Sequence, residues 1–179
     1  MAETQRLRLL AAAGEVLTEK GYARTTSAAI SDRAGVSRST FYAQFENVDA
    51  CLVDAHQMAA ECVLDLVMAT CRAGTRRQDG GYAASSAGAG AIPVAVEAIL
   101  DFLSCELSLA KLLGAEAAAG VPQIAVARDA LASQLAAMVA GDIHPALIDG
   151  AVALASERID VSDPAKLREL GPQLSQILC

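Results

Sequence analysis

The sequence predicts an all-α protein. Alanine and leucine dominate a chain of 179 residues that is 54% apolar, only five prolines interrupt it, and no β-branched cluster alternates with period two. Apolar residues instead recur at i, i+3 and i+4 in most segments, the spacing that lines one face of a helix. That length suffices for a small domain attached to a medium one, and the apolar fraction suffices for a sizeable core.

Residues 4–20 open the chain as a helix in which Leu10, Ala13 and Leu17 form an apolar stripe widened by Leu9 and Val16. Lys20 in the last turn and Gly21 beyond it are stop signals, and Tyr22 is placed to pack back over the helix end. Thr26 and Ser27 are both suited to cap a second helix, since a side-chain oxygen takes an unpaired backbone N–H. Ile30 and Ala34 give that helix its stripe, and Gly35 stands where a left-handed residue ends a helix without a Cβ clash. Ser37 then caps a third helix, Arg38 to about Phe45, with Phe41 and Phe45 on one face. Arg38, Ser39, Thr40, Ala43 and Gln44 point elsewhere. Two short helices joined by a glycine turn, the second with a polar face, form a helix-turn-helix, whose second helix enters the major groove of DNA.

The predicted core of this head is Leu10, Leu17, Tyr22, Ile30, Val36, Phe41 and Phe45. Four of the six aromatic residues fall in the first 45 positions, as expected where a small head has little core volume and rings bury the most area. Tyr42 sits beside Phe41 and cannot share its face fully, so it is either a half-exposed packing residue or a hydroxyl for a DNA phosphate.

Charge follows the same division. The chain carries −7 overall, which argues against a general nucleic-acid binder. Residues 1–45 hold six basic and four acidic side chains (+2), and the remaining 134 hold eight and seventeen (−9). A mildly basic head on an acidic body suits local DNA contact by the head.

Residues 9–52 resemble the N-terminal domain of the TetR/AcrR family of transcriptional regulators. The residues that carry the resemblance are LLAAAGEVLTEKGYARTT, then ISDRAGVSRSTFYAQFEN with Leu52 after it, about a quarter of the chain. Gly-Val-Ser, followed three residues later by Phe-Tyr and then Phe, is its most specific part. Three positions depart from the family. Val48 stands where a phosphate-binding Lys is usual, Ser31 replaces a common alanine, and Ala43-Gln44 replace a pair usually filled by His, Tyr or Phe. The first removes a phosphate contact and predicts a smaller salt dependence. The last means that the operator cannot be carried over from a relative.

Beyond the head, residues 46–73 predict a long helical stretch, divided near His56, with Asn47 as N-cap and Asp49 favourable to the helix dipole. Cys51, Leu52, Ala55, Met58, Ala59, Cys62, Leu66 and Ala69 form its apolar side, with Cys51 and Cys62 expected in the core as small hydrophobes and redox sensing as the lesser reading. His56 and His144 are too few and too distant to hold a metal, and a surface or capping role is expected for both. Residues 74–91, with five glycines, read as a loop, and Arg72, Arg76 and Arg77 beside it fit a helix C-terminus. Helices follow over 92–103 and 106–119. One of Glu97, Asp101, Glu106 and Glu116 could face inward and meet a cationic ligand, although solvated surface is the simpler reading.

Residues 123–140 and 146–160 have very little polar face, so they need cover on more than one side. A four-helix interface between two chains supplies that cover, and the resemblance implies the same dimer. A short helix over 165–178 closes the chain.

The five cysteines form no C-x-x-C, which leaves a disulfide framework or zinc site without support. No signal peptide is visible, because Glu3, Arg6 and Arg8 come before any apolar run, no stretch is long enough to span a membrane, and a cytoplasmic protein with reduced thiols is expected. No nucleophile motif or phosphate loop points to catalysis, and no cofactor is expected. The expected organisation is a DNA-binding head over 1–46 and a helical ligand-binding and dimerisation domain over 47–179.

The leading expectation is a one-component repressor that binds a palindromic operator as a homodimer and is released by a small apolar ligand. Arg38 and Gln44 are the candidates for base edges. Thr26, Ser27, Ser39, Thr40 and Tyr42 are candidates for the rest of the DNA contact, with Asn47 at a helix N-terminus. Met58, Cys62, Met68, Leu100, Phe102 and Leu103 are the candidate ligand lining, a set that would equally fill a closed core. The alternative is an all-α dimeric interaction module that has lost sequence-specific DNA binding, which the −7 charge and the missing Lys favour.

Overall fold

The computed structural model describes residues 2–76, 97–114 and 120–139. Among them every regular element is helical. They are α1 (Ala2–Lys20), a 3₁₀ turn (Tyr22–Arg24), α2 (Ser27–Ala34), α3 (Arg38–Gln44), α4 (Val48–Arg76), α5 (97–105), α6 (Leu107–Leu113) and α7 (Pro122–Val139). No helix of the described residues is long and apolar enough to cross a membrane. Residues 74–76 of the expected loop over 74–91 still belong to α4, and the rest of that loop, the expected helices over 146–160 and 165–178, His144 and Glu116 lie outside the described residues.

The chain divides into two compact units. The first holds Met1–Ala59 and Leu107–Arg128, and the second holds Ala60–Glu106 and Asp129–Cys179. In the first unit α1 is the central element, packed on α2, α3 and α6. Its stripe of Leu9, Leu10, Ala13, Val16 and Leu17 is buried as its spacing predicts. Gly14 sits on the same side because α6 comes close there. A Cβ at this position would stand 2.9 Å from Leu112 Cδ1. Glycine in mid-helix costs about 1 kcal/mol of helix propensity, and the close approach is what it makes possible.

The expected core of the head is met by Leu10, Leu17, Ile30, Phe41 and Phe45, all buried, whereas Tyr22 and Val36 are half-buried. Tyr22 rests on Gly120, where a Cβ would fall far inside van der Waals contact with its ring, and its hydroxyl donates to Asp49 Oδ1 at 3.0 Å. Burial and that carboxylate raise the Tyr22 pKa. On the outside of α1, Arg33 reaches Glu15 (2.8 Å) and Glu19 (2.5 Å), and its hydrogen bond holds the Glu19 carboxyl below the usual range.

Helix α4 runs without a break through His56, contrary to the expected division there. His56 is also not at the surface. It is wholly buried, on the stripe Leu52, Ala55, His56 and Ala59 that faces the interior of the first unit. Helical register outweighs polarity at this position: three and four residues from buried Leu52, Ala55 and Ala59, its side chain has nowhere else to go. Farther along, Val63 and Val67 take over the buried line, and Cys62 beside them is exposed rather than in the core. Cys51 is buried, as expected, and burial pushes its thiol pKa up to about 12, which suppresses the reactive thiolate.

In the second unit the buried residues include Val63, Val67, Leu100, Leu103, Leu131 and Ala132. Helix α6 is shorter than expected, closing at Leu113 with Gly114 N–H on Lys111 C=O. Glu97, Asp101 and Glu106 are exposed, so none of the described acidic candidates faces inward.

Candidate nucleic-acid interface

Backbone hydrogen bonds at the helix ends set the geometry of the α2–α3 pair. Thr26 caps α2, its Oγ1 accepting from Ala29 N–H at 3.2 Å. At the other end Gly35 is left-handed (φ +65°, ψ +40°), with Gly35 N–H on Asp32 C=O at 3.2 Å and Val36 N–H on Ser31 C=O at 3.0 Å. These bonds satisfy carbonyls that a helix end otherwise leaves open, and the left-handed residue turns the chain sharply toward α3. Arg8 from α1 donates to the Ala34 carbonyl, adding a third support.

Ser37 caps α3, its Oγ accepting from Thr40 N–H at 3.1 Å. The same oxygen is 2.7 Å from Ser39 Oγ and 2.8 Å from Thr40 Oγ1, so three hydroxyls cluster at the N-terminus of the helix. Phe41 is wholly buried and stands 5.6 Å, ring to ring, from Phe45, which ends the helix in an extended conformation. Burying a Phe side chain contributes roughly 2–3 kcal/mol, and this anchor fixes the rotation of α3 about its axis.

With Phe41 pointing inward, the other face must point out. Arg38, Ser39, Tyr42 and Ala43 are exposed, and Thr40 and Gln44 are half-buried. Tyr42 is 58% exposed, unusual for a large ring, and packs edge-on against Phe41 at 5.3 Å. Its hydroxyl lies 3.0 Å from Ser27 Oγ on α2, joining the two helices through groups that both accept and donate. Asn47 caps α4, its Oδ1 accepting from Ala50 N–H at 2.8 Å. Ser31, where an alanine is common in the resembled family, is buried, and its hydroxyl is satisfied by Ser27 C=O at 2.7 Å. The polar substitution therefore leaves no orphan group in the core.

Arg6 is the positioning residue that spacing did not show. It donates to the Gln44 carbonyl at 3.3 Å, pairs with Asp54 on α4, and lies 4.6 Å above the Phe45 ring. One side chain thus ties α1 to the end of α3 and the start of α4. With Arg6 and Arg8 tied to neighbouring helices and Arg33 paired with Glu15 and Glu19 at the surface, Arg38 stands exposed at the first position of α3. Among the candidate ligand-lining residues, Leu100 and Leu103 are buried, Met58 and Phe102 half-buried, and Cys62 and Met68 exposed.

Residues 9–55 match the model of the bacterial regulatory proteins of the tetR family. No curated protein sequence matches the chain. Solved structures do. The fatty acid degradation regulator FadR from Bacillus halodurans is similar at 16% identity, with 97% of this chain and 94% of that one covered and a TM-score of 0.65. The TetR family regulator PfmR from Thermus thermophilus is similar at 17% identity, over 96% and 94%, with a TM-score of 0.68. A TetR family regulator from Marinobacter aquaeolei is similar at 12% identity, over 98% and 96%, with a TM-score of 0.66. At these identities the likeness is one of fold. Residues 9–55 are thus a head of the tetR family of bacterial regulatory proteins, and the chain that carries it has the fold of the TetR-family transcription regulators.

Proposed function

We propose that the protein is a ligand-responsive repressor that binds a palindromic operator as a homodimer and releases it when a small, largely apolar ligand binds. The observation that carries the DNA-binding part is the presentation of α3. One face is anchored by wholly buried Phe41, and the opposite one offers Arg38, Ser39 and Tyr42 to solvent behind a hydroxyl cluster. Arg38 and Gln44 suit base edges, and Thr26, Ser27, Ser39, Thr40, Tyr42 and Asn47 suit the backbone. The head over 1–46 serves DNA, and 47–179 serves ligand and partner chain.

Dimerisation through about 123–140 and 146–160 draws support from α7, where Val126 is 71% exposed on a helix whose charges are Arg128 and Asp129. A dimer presents two copies of α3 to major grooves one helical turn or a multiple apart. The similar FadR is described as a regulator of fatty acid degradation, which agrees with an effector of largely apolar character.

The test is a fluorescence-anisotropy titration of promoter DNA from the protein's own locus at several salt concentrations, against scrambled competitor. Competitor-resistant binding that weakens in Arg38→Ala and Tyr42→Phe is the expected result. Binding no tighter than to scrambled duplex, across a genomic selection as well, leaves the interaction module as the better reading.

A further inference from the structure

Arg38 and Gln44 suit base edges, and the fold holds the two in different ways. Arg38 starts α3 directly after the Ser37 cap, whose hydroxyl secures the first turn. Gln44 is the last residue of the helix, where the final carbonyls have no intrahelical N–H partner. A helix of seven residues gains little from its own ladder, and an end that nothing holds frays. Here Arg6 holds it, from 38 residues earlier in the chain.

Three contacts fix the Arg6 guanidinium. Its Nη1 donates to the Gln44 carbonyl at 3.3 Å, its Nη2 pairs with the Asp54 carboxylate on α4, and its Cζ lies 4.6 Å from the centre of the Phe45 ring. Phe45 is itself buried and packed on Phe41, and the donors of an arginine form a rigid fork, so the group has little freedom. Arg6 and Asp54 are both half-buried, where a pair of charges is screened less than at an open surface. A cation at this place also suits the negative end of the α3 dipole. Arg38 stands about 9 Å away along the helix axis, from the rise per residue, and has the Ser37 cap for support instead.

We infer that Arg6 is a positioning residue for base reading by Gln44. Through the Gln44 carbonyl it sets where the last turn of α3 stands, and so sharpens discrimination at the base pair under Gln44 without touching DNA. This rests on the reading of α3 as the DNA-recognition helix and deepens it. Two hydrogen bonds from one amide to an adenine tolerate little displacement, so a frayed last turn loses discrimination there first while Arg38 keeps its own.

The experiment uses the full chain, the promoter duplex that it binds and every single-base-pair substitution of that duplex, titrated by fluorescence anisotropy at several salt concentrations. Gln44→Ala and Arg38→Ala locate the base pairs that each side chain reads, where wild type should discriminate about tenfold. Arg6→Met keeps an apolar stem against Phe45 and removes the fork. It should cut discrimination at the Gln44 pair at least about threefold, leave that at the Arg38 pair within about twofold, and leave the salt slope unchanged. Because discrimination is a ratio of affinities, partial unfolding of a variant cancels from it. Arg6→Lys, which retains the charge, should restore part of the loss. Asp54→Asn, which frees Arg6 from its other side, should show the same pattern at smaller amplitude, and these two variants carry the comparison if Arg6→Met does not fold. In a Gln44→Ala background, Arg6→Met should change nothing further at the Gln44 pair.

An equal loss at every base pair would make Arg6 a brace for stability only, and a salt slope lower by about one would make it a phosphate contact; either result overturns the proposal. Sequence-specific binding in which Gln44→Ala flattens no base pair also overturns it and leaves the DNA-binding reading standing. Wild-type binding no tighter than to scrambled duplex overturns both.

Discussion

Gly35→Ala is the substitution whose cost can be assembled from separate parts. The residue is left-handed, at φ +65°, and an L side chain there costs roughly 1–2 kcal/mol. Alanine returns about 0.4–1 kcal/mol by restricting the unfolded chain. The added Cβ would stand 2.9 Å from Arg8 Nη2, the group that donates to the Ala34 carbonyl, so Arg8 must move. Losing that bond costs about 1 kcal/mol. The sum is about 1–2.6 kcal/mol, which for a chain of this size lowers the melting temperature by roughly 2–10 °C. Urea unfolding of wild type, Gly35→Ala, Arg8→Ala and the double variant forms a mutant cycle. Because the alanine and Arg8 compete for one place, the double variant should be about 1 kcal/mol more stable than the two single losses added together. Gly35→Asn carries the same Cβ but tolerates the left-handed region, so it should lose less than alanine. A Gly35→Ala protein as stable as wild type would refute the assignment of the turn, and strict additivity with Arg8→Ala would refute the contact.

Four further substitutions probe the rest of the first unit. Phe41→Ala should cost about 3–5 kcal/mol by leaving a cavity under α3, read by urea unfolding, with operator affinity falling as well. Gly120→Ala drives a methyl into the Tyr22 ring and should cost about 1–3 kcal/mol. Its partner variant Tyr22→Leu should relieve most of that loss, again read by urea unfolding. The pH dependence of stability carries the signature of His56. Its folded pKa of about 4 lies below its ordinary value, so its contribution is complete above pH 6.5 and is lost as the pH falls toward 4, where the unfolded chain takes up a proton that the folded chain refuses. The loss amounts to at most about 3 kcal/mol, and it should vanish from the pH profile of His56→Leu.

The head is legible in the sequence because its signals are local. Thr26, Gly35 and Ser37 each act within four residues of their own position, and Phe41 and Phe45 declare a face by spacing alone. What stays hidden depends on distant segments. Arg6 and Asp54 are 48 residues apart, and nothing in either neighbourhood announces the pair. Gly14 reads as a weak point in a helix until Leu112 arrives against it. His56 misleads because its polarity suggests solvent, whereas the register of α4 turns that position inward. Cys62 misleads for the opposite reason: a residue eleven places from buried Cys51 keeps nearly the same angle, but the buried line has by then passed to Val63 and Val67. The candidate DNA contacts can be picked out from the sequence, and the Tyr42–Ser27 bond that joins the two helices emerges only in three dimensions.

The glycines also limit how such heads can be exchanged. A chimera that grafts another regulator's first 46 residues onto this body would set a foreign first helix against Leu112 and a foreign aromatic against Gly120, both fitted here to bare backbone or an open ring. A donor with any side chain in place of Gly14 would be wedged away from α6, and a donor without an Asp54-seeking arginine would lose the brace at the end of α3. Transplants should therefore leave α1 in place and replace only the exposed positions of α3.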